Sequence, residues 1–197
     1  LRRQRQMCIR DRAMSNKIFL SIICTIFLTQ IPLSSSEMIL GTEKITKDIT
    51  VVFEGAPRDK IFSFPNNLHL SESETDLHIE ALINWDEDID IPSQVPGSFI
   101  PYLKVRTKIT NQETDESKTI DLVPHINLID GFHYARNIKL PGSVNDKYLI
   151  TFTIKQDSDQ LSYHKDWKDN YATPVISETS FTYKNLNFFS VSQETRR

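Results

Sequence analysis

From residue 48 onward, apolar and polar side chains alternate in short runs separated by turn-forming residues, the pattern of half-buried strands; helical periodicity is weak throughout. The alternation predicts strands over 49–54, 60–64, 76–85, 102–111, 118–123, 133–140, 148–155 and 179–183. In the run at 148–155, Tyr148, Ile150, Phe152 and Ile154 fall on one face, and Thr151, Thr153 and Lys155 on the other. Between the runs, 65–67, 92–97, 111–117, 141–143 and 157–160 carry turn chemistry. Short strands at this spacing predict an all-β, immunoglobulin-like β-sandwich in a single domain, with a barrel left open because periodicity does not separate the two. The stretch after Tyr183 is polar and reads as a tail, placed at 186–197.

The amino-terminal 36 residues differ in kind from this pattern. Residues 1–12 are arginine-rich without a hydrophobic period, and Met7-Cys8-Ile9-Arg10-Asp11-Arg12 reads as a translated sequencing-adapter end. From Met14, a basic Lys17, an eleven-residue apolar run over 18–28 and the small residues Ser34-Ser35-Ser36 form the three parts of a secretory signal. The run is too short to span about 30 Å of hydrocarbon as a helix. A signal peptide over 14–36 and an immunoglobulin-like domain over 37–185 are therefore expected. That signal implies a secreted protein.

Removing the leader also changes the charge. The whole chain carries 23 basic and 26 acidic residues, but the 161 residues from Glu37 hold 17 basic and 25 acidic ones, a net −8. An acidic domain has no electrostatic reason to bind nucleic acid. Both cysteines, Cys8 and Cys24, lie in the leader, so neither a disulfide framework nor a thiolate metal site is expected. There is no Gly-x-Ser-x-Gly elbow and no phosphate-cradling glycine loop among five glycines, so the chain does not read as an enzyme and shows no small organic substrate site.

What remains is imidazole. All five histidines, His69, His78, His125, His133 and His164, lie beyond the leader, and histidine nitrogen suits copper, zinc, iron and nickel. In Asp76-Leu77-His78-Ile79-Glu80-Ala81-Leu82 the alternation puts His78 and Glu80 on one strand face, with side chains starting about 6.6–7 Å apart. An imidazole and a carboxylate at that spacing can converge on one ion while Ile79, Ala81 and Ile83 pack behind the sheet. In 124–134, Asp130-Gly131 supplies a tight turn just before His133, and Asp130 is placed to accept the second ring proton of that histidine. A third group, Tyr163-His164-Lys165-Asp166-Trp167, lies in a polar loop. His69, between Leu68 and Leu70, reads as structural.

In order along the chain, His78-Ile79-Glu80-Ala81, Phe99-Ile100-Pro101-Tyr102-Leu103, Asp130-Gly131-Phe132-His133-Tyr134-Ala135, Asn137-Ile138-Lys139-Leu140 and His164-Lys165-Asp166 resemble the motifs of the bacterial periplasmic iron-transport family. The resemblance covers about 49–183. It implies an immunoglobulin-like sandwich, a homodimer with a copper site near the dimer interface, and a role in iron handling beside an inner-membrane iron permease. Carried over residue by residue, the family's histidine ligands fall on His78, His133 and His164, and its acidic group near the metal on Glu80. The family's methionine ligand has no counterpart. That slot is held either by His125, giving a set of four histidines that favours Cu(II), Zn(II), Ni(II) or iron, or by Ile126, which costs the site a ligand.

The function implied is a non-enzymatic periplasmic metal-binding protein for high-affinity iron uptake, binding copper and iron, with zinc accepted in vitro, and delivering iron to the permease. The expected metal residues are His78, Glu80, His125, His133 and His164. The competing expectation is a secreted β-sandwich adhesion or interaction module whose metal site has degenerated.

Overall fold

The strictest alternation in the sequence becomes a strand at Tyr148–Gln156, where Tyr148, Ile150, Phe152 and Ile154 are fully buried while Thr151 and Thr153 share hydrogen bonds with Thr182 and Ser180 of the adjacent strand. The computed structural model of the protein describes residues 37–63, 68–194 and 196. Its strands are β1 (Met38–Thr46), β2 (Ile49–Ala56), β3 (Leu77–Trp85), β4 (Leu103–Asn111), β5 (Ser117–Asn127), β6 (Gly131–Ile138), β7 (Tyr148–Gln156) and β8 (Thr179–Leu186), with two short helices, α1 (Lys165–Asn170) and α2 (Phe189–Gln193). The adapter-like stretch 1–12 and the expected signal peptide at 14–36 lie outside the described residues. Among those described, no helix is long and apolar enough to cross a membrane.

The strands pair antiparallel in the order β1-β2-β3-β6-β5-β4-β7-β8. β5 belongs to both layers. Its first part, Ser117 to Leu122, pairs with β4, and its second part, Val123 to Asn127, pairs with β6. The outer strands approach where Gly41 lies under the Tyr183 ring, so closely that a Cβ at Gly41 would stand 2.4 Å from ring carbon, and the Tyr183 hydroxyl donates to Glu43 Oε1 at 3.1 Å. The result is a barrel-like all-β sandwich, as the alternation predicts.

Between the layers, Phe53 of β2 stacks on Phe152 of β7 at 4.1 Å, and Ile79, Ala81 and Ile83 of β3 are fully buried. Because side chains alternate, burying these odd-numbered residues of β3 turns His78 and Glu80 to the outer face of the sheet. Tyr134 of β6 faces inward. Its hydroxyl donates to the Ile100 carbonyl and accepts from the Leu103 N–H, both at 3.0 Å, tying β6 to the loop that enters β4.

Three expectations are corrected. Residues 60–63 form no strand, although their pattern alternates, and Phe64 lies outside the described residues. That segment follows Pro57 and crosses the outer face of the sheet, where its side chains alternate against a surface and not within a ladder. β1 was not anticipated: it lies just beyond the leader and reads less regularly, with Gly41 at its centre and register shifts around it. The polar tail is also more structured than its composition implies, because Phe188 and Val191 are buried in the core and α2 follows β8.

Burial pushes the Tyr134 phenol from its ordinary value near 10 up to about 12. A group whose folded pKa is raised contributes stability that is complete below the unfolded value and is lost as pH climbs through the folded one. Tyr134→Phe should cost about 1–3 kcal/mol at neutral pH by leaving the Leu103 N–H unpaired. It should also lose less stability than the parent between pH 10 and pH 12. Urea unfolding at pH 7, pH 10 and pH 12 measures both effects.

Candidate metal centre

The outer face of the sheet is built in register. His78 stands opposite Asn137 and Glu80 opposite Ala135 on β6, Glu54 stands opposite Glu80 on β2, and His133 stands opposite His125 on β5. Ala135, small, lies between Glu80 and Val123 and leaves room for the longer groups around it. Irregular segments cover this face. Asn137 Nδ2 donates to the carbonyls of Asp59 and Leu70 at 2.9 and 3.1 Å, and Arg58 donates to the Ser192 carbonyl. A face that alternation alone would leave in water is thereby sealed, with His78, Glu80 and His133 no more than 1% exposed.

These three residues offer one ligand atom each, all within 4.8 Å of one another. His78 Nε2 lies 3.5 Å from Glu80 Oε1, and His133 Nε2 lies 3.9 Å from Glu80 Oε2. The ring orientations are fixed from behind. Asn137 spends its amide donors on two carbonyls, so its Oδ1 must accept the His78 Nδ1 proton, at 2.8 Å. His133 Nδ1 donates to the Gly131 carbonyl at 3.1 Å, and His125 Nδ1 donates to the Val123 carbonyl at 2.9 Å. Each ring therefore carries its proton on Nδ1 and keeps a lone pair on Nε2, the arrangement metal-binding histidines adopt.

The His125 ring stands beside the group and the Ile126 side chain does not. The His125 ring centroid is 5.3 Å from that of His78 and 5.8 Å from that of His133, and its Nε2 is buried without a partner. Ile126 points the other way and is 67% exposed. Metal–nitrogen bonds of about 2.0–2.1 Å put an imidazole centroid roughly 3.1 Å from the ion, so two rings on one tetrahedral ion stand about 5 Å apart. The spacing of His125 from His78 lies near that value, and its spacing from His133 is longer.

Electrostatically the centre is rich in lone pairs and poor in protons. Burial, and then the neighbouring His125, hold the His78 imidazole down to about 3, and burial lowers His125 and His133 as well. Burial pushes the Glu80 carboxyl up to about 8, with Arg196 working against it, and Glu80 Oε2 has no hydrogen-bond partner. Glu54, raised to about 7 by burial and then by Glu37 and Asp130, leaves Oε2 without a partner as well. The one cation drawn into this cluster among the described residues is Arg196. Its guanidinium donates to Glu80 at 3.4 Å, Glu37 at 2.5 Å and Asp130 at 3.2 Å. It supplies positive charge where neutral imidazoles supply none.

One expectation does not survive, and a second is not met within the single chain. Asp130 does not hold the His133 ring; the Gly131 carbonyl does, because Gly131, at φ +65°, turns its carbonyl to the ring while Asp130 is taken up by Asn127 and Arg196. His164 is not brought to the cluster within the chain. It is exposed at the start of α1 and lines a different cavity with Trp85, Tyr102 and Trp167. Sequence reasoning reads His69 as structural, and its ring stands 4.7 Å from that of His125; it gives no role to Asn137, Glu54 or Arg196. Asn137 was findable, since it lies four residues beyond His133 on the same strand and so shares its face. His69 and Arg196 reach the site only through non-local folding.

The family model described as Fe2+ transport protein matches residues 34–189. The chain belongs to that family. Among solved structures, a copper-bound variant of P19 from Campylobacter jejuni superposes with a TM-score of 0.63 at 22% identity, covering 76% of this chain and 96% of that one. FetP of uropathogenic Escherichia coli gives a TM-score of 0.60 at 24% identity, covering 78% of this chain and all of that one. At these identities the likeness establishes the fold. The 34 kDa membrane antigen of Treponema pallidum is 32% identical over 114 residues, which is 55% of each chain, so this Fe2+ transport family member matches about half the length of that curated relative.

In this family member, Asn137→Ala should leave the His78 Nδ1–H and the carbonyls of Asp59 and Leu70 unpaired, at a cost of about 1–3 kcal/mol in urea unfolding. Imidazole nitrogen NMR of the parent protein should show His78, His125 and His133 as Nδ1–H tautomers. In the variant only His78 should change. A His78 signal that does not move would mean Asn137 does not set its tautomer.

Proposed function

We propose that this protein is a periplasmic metal-binding component of high-affinity iron uptake that binds copper and iron through His78, Glu80, His125 and His133 and delivers iron to an inner-membrane permease. The observation that carries the reading is the pair of tethered imidazoles, His78 and His133, whose Nε2 lone pairs lie 3.5 and 3.9 Å from a buried Glu80 carboxylate that lacks its full complement of partners. Hydrophobic packing gives no reason to bury such a group, and a metal cation does. Family membership supports iron as the cargo. Copper-bound relatives of the same fold support copper as a ligand.

The donor set argues the metal class. Imidazole nitrogen with one carboxylate oxygen suits Cu(II), Zn(II) and iron, and the absence of a thioether removes the preference for Cu(I). When bound, the ion supplies the positive charge that the centre otherwise takes from Arg196 and from a proton on Glu80. His78, His125 and His133 hold it by Nε2 and Asn137 orients the first of them. Among the described residues around the centre none is arranged as a nucleophile, and the reading is one of metal binding and transfer.

We also propose a homodimer. The tip of the β5–β6 hairpin exposes Ile126, Leu128, Ile129 and Phe132, at 67, 105, 79 and 54%, beside the centre, an apolar patch that a second copy would cover. His164 would then reach a metal only from that second copy.

Isothermal titration of chelator-stripped protein with Cu(II) should give stoichiometric binding, and Cu(II) at a hundredfold excess over Kd should stabilise the fold by about 2.7 kcal/mol. His78→Ala and His133→Ala should each weaken binding by two orders of magnitude or more. An unchanged melting temperature with and without Cu(II), Zn(II) and Fe(II) would sink the reading and favour an interaction module. For the assembly, light scattering coupled to size exclusion should report a dimer in the parent and a monomer in Ile129→Asp; a monomeric parent would refute it.

A further inference from the structure

The position an incoming cation needs is held by a cation of the chain itself. Arg196 Nη1 stands 3.4 Å from Glu80 Oε1, the same oxygen that lies 3.5 Å from His78 Nε2. Its Nη2 donates to Glu37 at 2.5 Å and to Asp130 at 3.2 Å, so one guanidinium gathers three carboxylates and is left only 12% exposed. Arg196, His78, His125 and His133 line one cavity of about 540 Å³. The arginine arrives there from an anchored stem. Phe188 is fully buried and Val191 and Ser192 nearly so, the Ser192 carbonyl accepts from Arg58, and a Cβ at Gly55 of β2 would stand 3.2 Å from the Phe188 ring. Arg196 lies three residues beyond Gln193, the end of α2, on a short strap whose root is fixed in the core.

We infer that Arg196 is a tethered competitor for the metal centre: it holds Glu80 until a divalent transition ion binds to His78, Glu80 and His133, and that ion displaces it. An ion bonded to His78 Nε2 and Glu80 Oε1 at about 2.0–2.2 Å takes the space between those atoms and the oxygen lone pair that Arg196 Nη1 approaches. Away from water, like charges a few ångströms apart repel strongly. The guanidinium cannot relieve that repulsion by giving up a proton, because it stays charged in proteins. It must move. An ion shifts the strap only by as much as it binds the displaced form better, so part of its binding free energy is spent on the displacement. Three residues of tether keep the guanidinium at high effective concentration, and it returns when the ion departs. Arg196 therefore lowers the affinity of the centre and promotes release, as passing an ion onward requires. This inference rests on the metal-binding reading above.

The test measures Zn(II) and Cu(II) affinities of the chelator-stripped protein by competition with a chromophoric chelator, and follows the diamagnetic Zn(II) form by side-chain NMR. Before zinc is added, the Arg196 guanidinium, held on carboxylates, should give resolved, slowly exchanging Nη protons; an equivalent of Zn(II) should merge them with the signals of free arginines. Arg196→Gln should bind both ions roughly tenfold or more tightly, the effect of removing a like charge beside the ion. Arg196→Lys, which keeps the charge, should stay within about threefold of the parent. If the glutamine variant is poorly folded, Arg196→Met, which also removes the charge and keeps an unbranched stem, makes the same comparison. Affinity that is equal or weaker in Arg196→Gln overturns the competitor while the metal-binding function stands. Tighter binding in the variant with the Arg196 Nη signals of the parent unmoved by zinc means the charge acts without displacement, and overturns it as well. A parent and variant that bind neither Zn(II) nor Cu(II) remove the proposed function and this inference with it.

Discussion

A carboxylate cut off from water must either take up a proton or find positive charge, and the outer face of this sandwich is organised around that constraint at Glu80. The residue is fully buried in a central strand, faces Glu54 across the β2–β3 pair, and is flanked by imidazoles that burial keeps neutral. None of those neighbours donates a proton to it, because every Nδ1–H is committed to a carbonyl or to Asn137. Arg196 answers part of the demand. Desolvation penalties of several kcal/mol per buried ion are not tolerated without a compensating role. The scaffold is therefore a device for holding lone pairs together that would otherwise turn away from one another.

Rigidity follows from how the site is tethered. Asn137 joins three things at once: the orientation of His78, the position of the segment around Asp59 and the position of the segment bearing His69. A single amide thus couples a ring in the floor of the site to the two stretches of chain that roof it. Groups positioned by such second contacts lose affinity or alignment when the contact is removed, even though the contact never touches the ligand.

How much of this was legible in the sequence depended on range. The strands bearing His78, Glu80 and His133 were readable because alternation is a local property and the core face, with Ile79, Ala81 and Tyr134, fixes the other face by default. The sandwich followed from the same signal. The segment 60–63 misled because an irregular chain lying across a sheet also alternates. Asp130 was a reasonable guess for the partner of His133, but a left-handed Gly131 brought a backbone carbonyl closer, and such a choice is conformational. His69 reads as structural and Arg196 as part of a polar tail because nothing within a few residues of either ties it to the strands; only the closing of the roof brings them near the cluster.

The division of β5 between the two layers bears on chemistry as well as architecture. Its first part is locked to β4 through pairs such as Arg106 with Asp121, while its second part presents His125 opposite His133. Side chains change face with every step along a strand, so a slip of one position would withdraw an imidazole and insert the Ile126 side chain in its stead. Which of the two side chains faces His133 is thereby set by the β4–β5 pairing further up the same strand. Inserting or deleting one residue there would exchange them without any substitution at His125 or Ile126.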